Sequence, residues 1–399
     1  MSDTLALLRD PGTIRLRCAA ITQAVADGRS GLFRIDRTKL DDAAERVATL
    51  TLERFPTLDI PFHSRWRHFE AGGVNRKAEL DAALADRTPA DRARAMFDLV
   101  VVSVLLDAGA GGAWRYTEGG QAYQRSEGLG VASFRAFMGG VFAVDSLDPY
   151  RCDGGALARI DGATLRRVFQ VDAGNPMVGL EGRAGLLARL GHALQRPSLV
   201  YDRLVEGGRT HVSAAEVLGE VLRSFSPIWT SGSMVKGQPA GDVWPHRFAG
   251  DAVPAGRDFT SAGYVPFHKL SQWLTYSLLE PLQWCGIAVT GLDALTGLPE
   301  YRNGGLLLDS GVIVVRDARL LDRTWKPADE FIVEWRALTV TLLDELAERV
   351  RARLGKAAAE LPLACILEGG TWAAGRQIAA ERRAGGVPPL QIESDGTVF

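Results

Sequence analysis

The run from Phe267 to Leu282 constrains the fold most. Phe267, Leu270, Leu274, Leu278 and Leu282 recur at intervals of three or four residues. That period places them on one face of an α-helix, whereas a strand would alternate its side chains between two faces. A second line at the same period carries Lys269, Gln272, Tyr276 and Glu280. A cation, an amide, a phenol and a carboxylate in one stripe suit a polar ligand better than bulk solvent. Helical spacing recurs over Ala43 to Glu53 and from Asn175-Pro176 to Leu194. It recurs again over Ser213 to Phe225 and Ala328 to Leu354, the last with Ile332, Trp335, Leu338, Leu342, Leu346 and Val350 inward. A further helix is expected from Pro89 to Leu106, where Thr88 can cap and Pro89 suits the first turn. Strand patterns are few, with Leu306 to Val315 and Leu363 to Leu367 the best candidates, and Ser231 to Gly263 reads as a long Gly- and Pro-rich loop. The expectation is a mainly α chain: a single large helical domain with a few short strands. It would comprise an N-terminal lobe (1–90), a core (91–375) and a C-terminal tail (376–399).

The 399 residues are 46% hydrophobic and 24% charged, enough to bury a large core. Net charge is −2 with no basic block, which argues against nucleic-acid binding by counterion release. No apolar run approaches the roughly eighteen residues of a membrane span, and the N-terminus M-S-D-T-L-A-L-L-R-D-P lacks the form of a signal peptide. A cytoplasmic location is expected, with Cys18, Cys152, Cys285 and Cys365 as reduced thiols.

Two motifs invite cofactor readings. Leu105 to Gly112 is glycine-rich after an apolar run, but Trp114 occupies the last glycine of a dinucleotide fingerprint and no strand–helix alternation follows. A helix stop fits better, leaving Trp114 just beyond it. His63-Ser64-Arg65-Trp66-Arg67-His68-Phe69-Glu70 offers two histidines and an acid without a third metal ligand at a recognised spacing. No metal and no cofactor are expected. Contact with a ligand through His63 or an arginine such as Arg67 is the alternative to a hydrogen-bonded loop.

Glu300-Tyr301-Arg302-Asn303-Gly304-Gly305 sets an acid, a phenol and a cation in turn-like sequence. The glycines permit close backbone approach, and Leu306-Leu307-Leu308 buries the chain at once. A carboxylate at such a junction is partly desolvated, and its basicity is tuned by that environment.

At these residues the chain resembles the uracil-catabolism protein family of fungi and bacteria (the Urc/Urg type). The phrases carrying the resemblance are Ile60 to Gly73, Val102 to Gly111, Asn175 to Arg183 and Pro266 to Leu282, and it spans nearly the whole chain. More distantly the chain is similar to queuosine-salvage nucleotide N-glycosidases. Their F-Y-K-R-A-Q phrase matches Phe267 to Gln272, D-Y-R-V-P-Q matches Glu300 to Gly305, and E-x-R-A matches Glu334 to Ala337. Their L-D-x-x-N-F-x-F-W phrase lines up with Leu106 to Trp114. Glu in place of Asp at 300, and small residues around Gly111, depart from that pattern and imply a remodelled pocket. The likeness implies a helical fold related to helix-hairpin-helix DNA glycosylases without a DNA-binding surface. It also implies an N-glycosidase acting on a small ribosyl substrate such as ribosylurea, with or without a 5′-phosphate.

Cleaving a ribose C1′–N bond passes through an oxocarbenium-like state that needs a carboxylate. Glu300 is the first candidate for that role and Asp309 the second. A donor must assist the leaving nitrogen, and Tyr301, His268 and Arg336 are candidates. Lys269 and Arg302 suit a phosphate or ribose hydroxyls. Gln272, Glu334, Trp114, His63 and Arg67 complete the candidate substrate-binding set. Two rivals stand beside this reading: a non-catalytic nucleotide-binding regulator or scaffold, and an amidohydrolase, against which the missing nucleophile elbow and metal spacing count.

Overall fold

The computed structural model describes residues 3–107, 109–230, 232–253 and 259–393. Parts of the glycine segment at 105–112, of the 231–263 loop and of the C-terminal tail lie outside the described residues. The principal helices in chain order are α1 (Pro11–Ala26), α2 (Leu40–Arg54), α3 (Arg65–Phe69), α4 (Pro89–Leu105), α5 (Arg125–Met138) and α6 (Leu180–Ala193). They continue with α7 (Ala214–Phe225), α8 (Lys269–Trp284), α9 (Asn303–Asp309), α10 (Glu330–Leu354), α11 (Leu363–Ile366) and α12 (Trp372–Arg382). All described strands are short and pair only in twos, so the chain is mainly α. Among the described residues no helix is long and apolar enough to cross a membrane.

Local signals explain several helix starts. The Thr88 hydroxyl accepts from Asp91 N at the head of α4, and Pro89 follows it. Ser213 and Glu216 form a reciprocal capping box on α7, a device worth about 1 kcal/mol. The apolar line Phe267, Leu270, Leu274, Leu278 and Leu282 is buried as its period requires. So are Gln272, Tyr276 and Glu280 on the neighbouring line, so α8 shows no solvent stripe there.

Two strand expectations are corrected. Leu306 to Val315 runs as helix α9 to Asp309, and only Ile313–Val315 is extended. Leucine has high helix propensity, and the Asn303-Gly304-Gly305 turn starts α9 where the Trp335 ring closes on the glycine. Leu363 to Leu367 is helical too, opening after Pro362. A short apolar run cannot be assigned by periodicity alone. The helix expected from Asn175 begins later, at Leu180, after Gly179 in the left-handed conformation (φ 72°). The 231–263 loop contains the short strand Val243–Pro245, paired antiparallel with Tyr264–Pro266.

The chain divides into two compact units. The first comprises residues 1–63, 232–272 and 291–393. In it α10 packs on α1 and α2, and α9 packs on α10 and α12. Strand Phe33–Ile35 pairs antiparallel with Ile313–Val315, Phe33 opposite Val315. Phe331 stacks between Phe33 and Trp325, with centroids at 4.6 and 4.5 Å. Two glycines set the position of α9. A Cβ on Gly304 would lie 2.3 Å from the Trp335 ring, and one on Gly375 would lie 2.1 Å from the Arg302 carbonyl oxygen. No larger residue fits at either place without backbone movement.

The second unit comprises residues 64–230 and 273–290. There α4 packs on α5 and α6, and α3 packs on α5. The fully buried Arg65 is neutralised by Asp107 at 2.7 Å and donates from Nε to Ser103 at 2.6 Å. Paired this way, a buried charge is tolerated; removing one partner would be costly.

Candidate functional site

The site grows from the turn that leads into α9. Glu300 is buried, 6% exposed. Its Oε2 accepts from the backbone N–H of Arg302 at 2.8 Å and its Oε1 from that of Asn303 at 2.7 Å. Sequence dictates this locally: an acid two and three residues before free helix N–H groups acts as their acceptor. Among the described residues no salt bridge touches this carboxylate. Burial pushes its pKa up from the usual glutamate value; the two N–H donors and the charges of Lys269 and His63 oppose the rise without cancelling it. A carboxylate so placed is a stronger base than an exposed one. The Asn303 amide donates from Nδ2 to Leu298 O at 3.1 Å, while its buried Oδ1 has no hydrogen-bond partner among the described residues.

Lys269, whose charge acts on Glu300, stands at the head of α8. Asp242 holds that head: its Oδ2 accepts from Lys269 N at 2.9 Å and its Oδ1 from Trp244 Nε1 at 2.7 Å. Arg336 completes the knot with two 2.7 Å bonds to the same carboxylate and lies over the Phe267 ring at 4.1 Å. Burial alone would raise the Asp242 pKa, yet the Arg336 guanidinium and the N–H donors hold it well below the usual carboxylate range. His268, just before Lys269, sits in the left-handed region at φ 49°. For a non-glycine residue that costs about 1–2 kcal/mol, sustained by its surroundings. Its Nε2 donates to Leu8 O at 2.9 Å, and burial lowers its pKa.

A second acid–base pair is formed by His63 and Glu368. His63 Nδ1 lies 2.8 Å from Glu368 Oε2. A carboxylate accepts, so the ring carries its proton on Nδ1 and presents Nε2 as the reactive nitrogen. Glu368 also receives Arg54 at 3.2 Å. It sits in a π-helical turn, Leu367–Thr371, between α11 and α12; such turns are rare and often occur at functional sites. The Trp372 ring lies 6.3 Å from the His63 ring.

Lys269 and His63 each act electrostatically on Glu300. Tyr301 and Arg302 follow Glu300 in the chain, the Arg302 guanidinium 4.9 Å from the Tyr301 ring centroid and bonded to Gly386 O at 3.1 Å. Other candidates are placed differently. Asp309, at the far end of α9, is clamped by Arg383 through bonds of 2.8 and 2.5 Å, and it lines a depression of about 660 Å³ that Glu300 does not line. Gln272 bonds Thr296 through both ends of its amide. Glu334 is fully buried and accepts from Ser30 Oγ, with His246 Nε2 at 3.3 Å. Arg336 is committed to Asp242, as above. Trp114 and Arg67 belong to the second unit, where Trp114 donates to Phe169 O at 2.9 Å and Arg67 to Glu280 at 3.0 Å. Sequence reasoning missed Asp242, Glu368 and the orphaned Asn303 oxygen. Asp242 lay hidden in the glycine-rich loop, and the Gly369-Gly370 pair after Glu368 is the one signal that marks its turn.

Comparison with known proteins adds three findings. Residues 7–399 match a family described as protein of unknown function (DUF1688). The chain is 39% identical over 410 residues to "Protein urg3" of Schizosaccharomyces pombe, covering 100% of both chains. It is 37% identical over 414 residues to "Uracil catabolism protein 4" of Lachancea kluyveri, covering 94% of this chain and 93% of that one.

Proposed function

The chain belongs to the DUF1688 family, and from that membership and the name of one full-length relative we propose that it works in uracil catabolism as an N-glycoside hydrolase. The substrate in this reading is a ribosyl breakdown product such as ribosylurea, and the bond cleaved is ribose C1′–N. One observation carries the chemical part: Glu300 is a buried carboxylate with a raised pKa, free of any salt bridge among the described residues, with Lys269 and the His63–Glu368 pair acting beside it. Such a carboxylate stabilises an oxocarbenium-like centre and accepts a proton from attacking water. Lys269 suits the ribose hydroxyls or a 5′-phosphate. The Asn303 Oδ1 is an acceptor suited to a ligand O–H or N–H.

The rival reading, a non-catalytic nucleotide-binding regulator, draws on a specific fact: both Glu300 oxygens already serve the α9 backbone. Each carboxylate oxygen keeps a second lone pair, so capping and catalysis are compatible. Purified protein incubated with ribosylurea, uridine and their 5′-phosphates decides between them. Stoichiometric release of ribose or ribose phosphate with the free base or urea is expected from one of the four. Binding of a nucleotide with no release from any of them would establish the regulator instead.

A further inference from the structure

An N-glycosidase faces a difficulty that the carboxylate does not solve: a ureido nitrogen leaves poorly as an anion and must receive a proton as the bond breaks. Two of the three residues considered first for this task are otherwise engaged. The His268 Nε2 proton is given to Leu8 O. The Arg336 guanidinium is committed to Asp242 and holds its protons too tightly to release one near neutral pH. We infer that His63 is the acid that protonates the departing nitrogen, and that Glu368 is the positioning residue that holds the ring for it. This inference rests on the hydrolase reading.

Five observations point to it. The imidazole is anchored through Nδ1 by Glu368 at 2.8 Å, the base–orienter arrangement that defines the reactive nitrogen. About a tenth of the side chain remains exposed (11%), so the ring is not sealed in the core. A chain of neighbours links it to the Glu300 turn: the Arg302 carbonyl packs on Gly375, Trp372 lies one turn earlier on the same helix, and the Trp372 and His63 ring centroids are 6.3 Å apart. His63 and Glu300 also sense each other electrostatically. Finally, Glu368 stands in a π turn, where the inserted residue redirects a side chain that a regular helix would aim elsewhere. The charged groups that act with His63 are Glu368, with Arg54 bound to it, and Glu300, on which it acts electrostatically; Arg376 lies over the Trp372 ring at 5.7 Å.

The step balances as follows. Protonated His63 gives its Nε2 proton to the leaving nitrogen while the C1′–N electron pair departs with that nitrogen. Water attacks C1′ and passes a proton to Glu300. That proton returns to His63 through solvent, leaving ribose and the neutral amine or urea with both side chains restored.

Leaving-group dependence tests it. Ribosylurea needs a proton to depart, whereas 4-nitrophenyl riboside releases a stable phenolate without one. With His63→Gln, whose amide can still donate to Glu368, hydrolysis of ribosylurea should fall roughly 10²- to 10⁴-fold. Hydrolysis of the nitrophenyl riboside should fall less than about tenfold. Glu368→Gln should lower kcat on ribosylurea with KM kept, and leave hydrolysis of the nitrophenyl riboside within about tenfold of wild type. Equal losses on both probes in His63→Gln, or in Glu368→Gln, would overturn the acid assignment while leaving the hydrolase reading intact. A wild-type protein inert toward both probes would instead sink the hydrolase reading, and this inference with it.

Discussion

The two ends of α9 carry the two carboxylates that sequence suggested, and their surroundings differ. Glu300 at the head is buried and meets only backbone N–H groups, with Lys269 and His63 near. Asp309 at the tail is locked in a two-bond pair with Arg383. A helix of seven residues separates them by about 10 Å along its axis, so they do not serve one reacting carbon as a close pair. A carboxylate spent on an ion pair contributes to stability; one left with weak acceptor duties keeps lone pairs and basicity for chemistry.

The largest expected effect breaks the head of the helix. Glu300→Gln should reduce turnover of the substrate by roughly 10²-fold or more. The structure adds a cost: one of the two N–H donors loses its acceptor, about 1–3 kcal/mol at any pH. A second contribution depends on pH. The folded pKa of Glu300 is raised, so the stability linked to its protonation is complete below the unfolded value of about 4.3 and is lost as pH rises through the folded one. Wild type should therefore lose ground to the glutamine variant as pH rises above about 4, read as a shrinking Tm gap. A gap that widens with pH would reverse the assigned shift.

The tail should answer oppositely. Asp309→Asn weakens the Arg383 pair and should cost about 1–2 kcal/mol, reduced because a quarter of the Arg383 side chain (26%) meets solvent. Turnover of the folded fraction should stay within about threefold of wild type. Denaturant melts and kinetics on the same preparations check this. Near-complete loss of turnover here, with Glu300→Gln active, would exchange the two roles.

A third change sharpens the head. Lys269→Met removes one of the charges that restrain the Glu300 pKa, so the acid limb of kcat/KM should move to higher pH. It should also weaken binding of a phosphorylated substrate by about 1.5–3 kcal/mol, with little change for the unphosphorylated one. Identical affinities for both in variant and wild type would remove Lys269 from the phosphate role.

Much of the helical framework was legible because its signals are local. Thr88-Pro89 and Ser213 with Glu216 cap helices through their own neighbours, and the leucine line of α8 repeats at the helical period. The failures at Leu306 to Val315 and Leu363 to Leu367 share one cause: a short apolar run fits helix or strand, and the packing of Trp335 on Gly304 or a start after Pro362 decides. Among site residues, Glu300 stood out by its turn and glycines, and Lys269 by its stripe. The fates of Gln272, Glu334 and Arg336 did not, since a polar side chain on a buried face serves a ligand or an internal partner equally well until the partner is seen.

By itself, then, the sequence determined that the chain is mainly helical, where most long helices begin, and that a carboxylate opens the segment at 300. Capping and periodicity act over a few residues, which is why one dimension suffices for them. Only the tertiary structure decided that Asp242 meets Arg336 from 94 positions away and that His63 meets Glu368 across 305. Those pairings depend on helix packing, which brings distant charges into low-dielectric contact where each must find a partner.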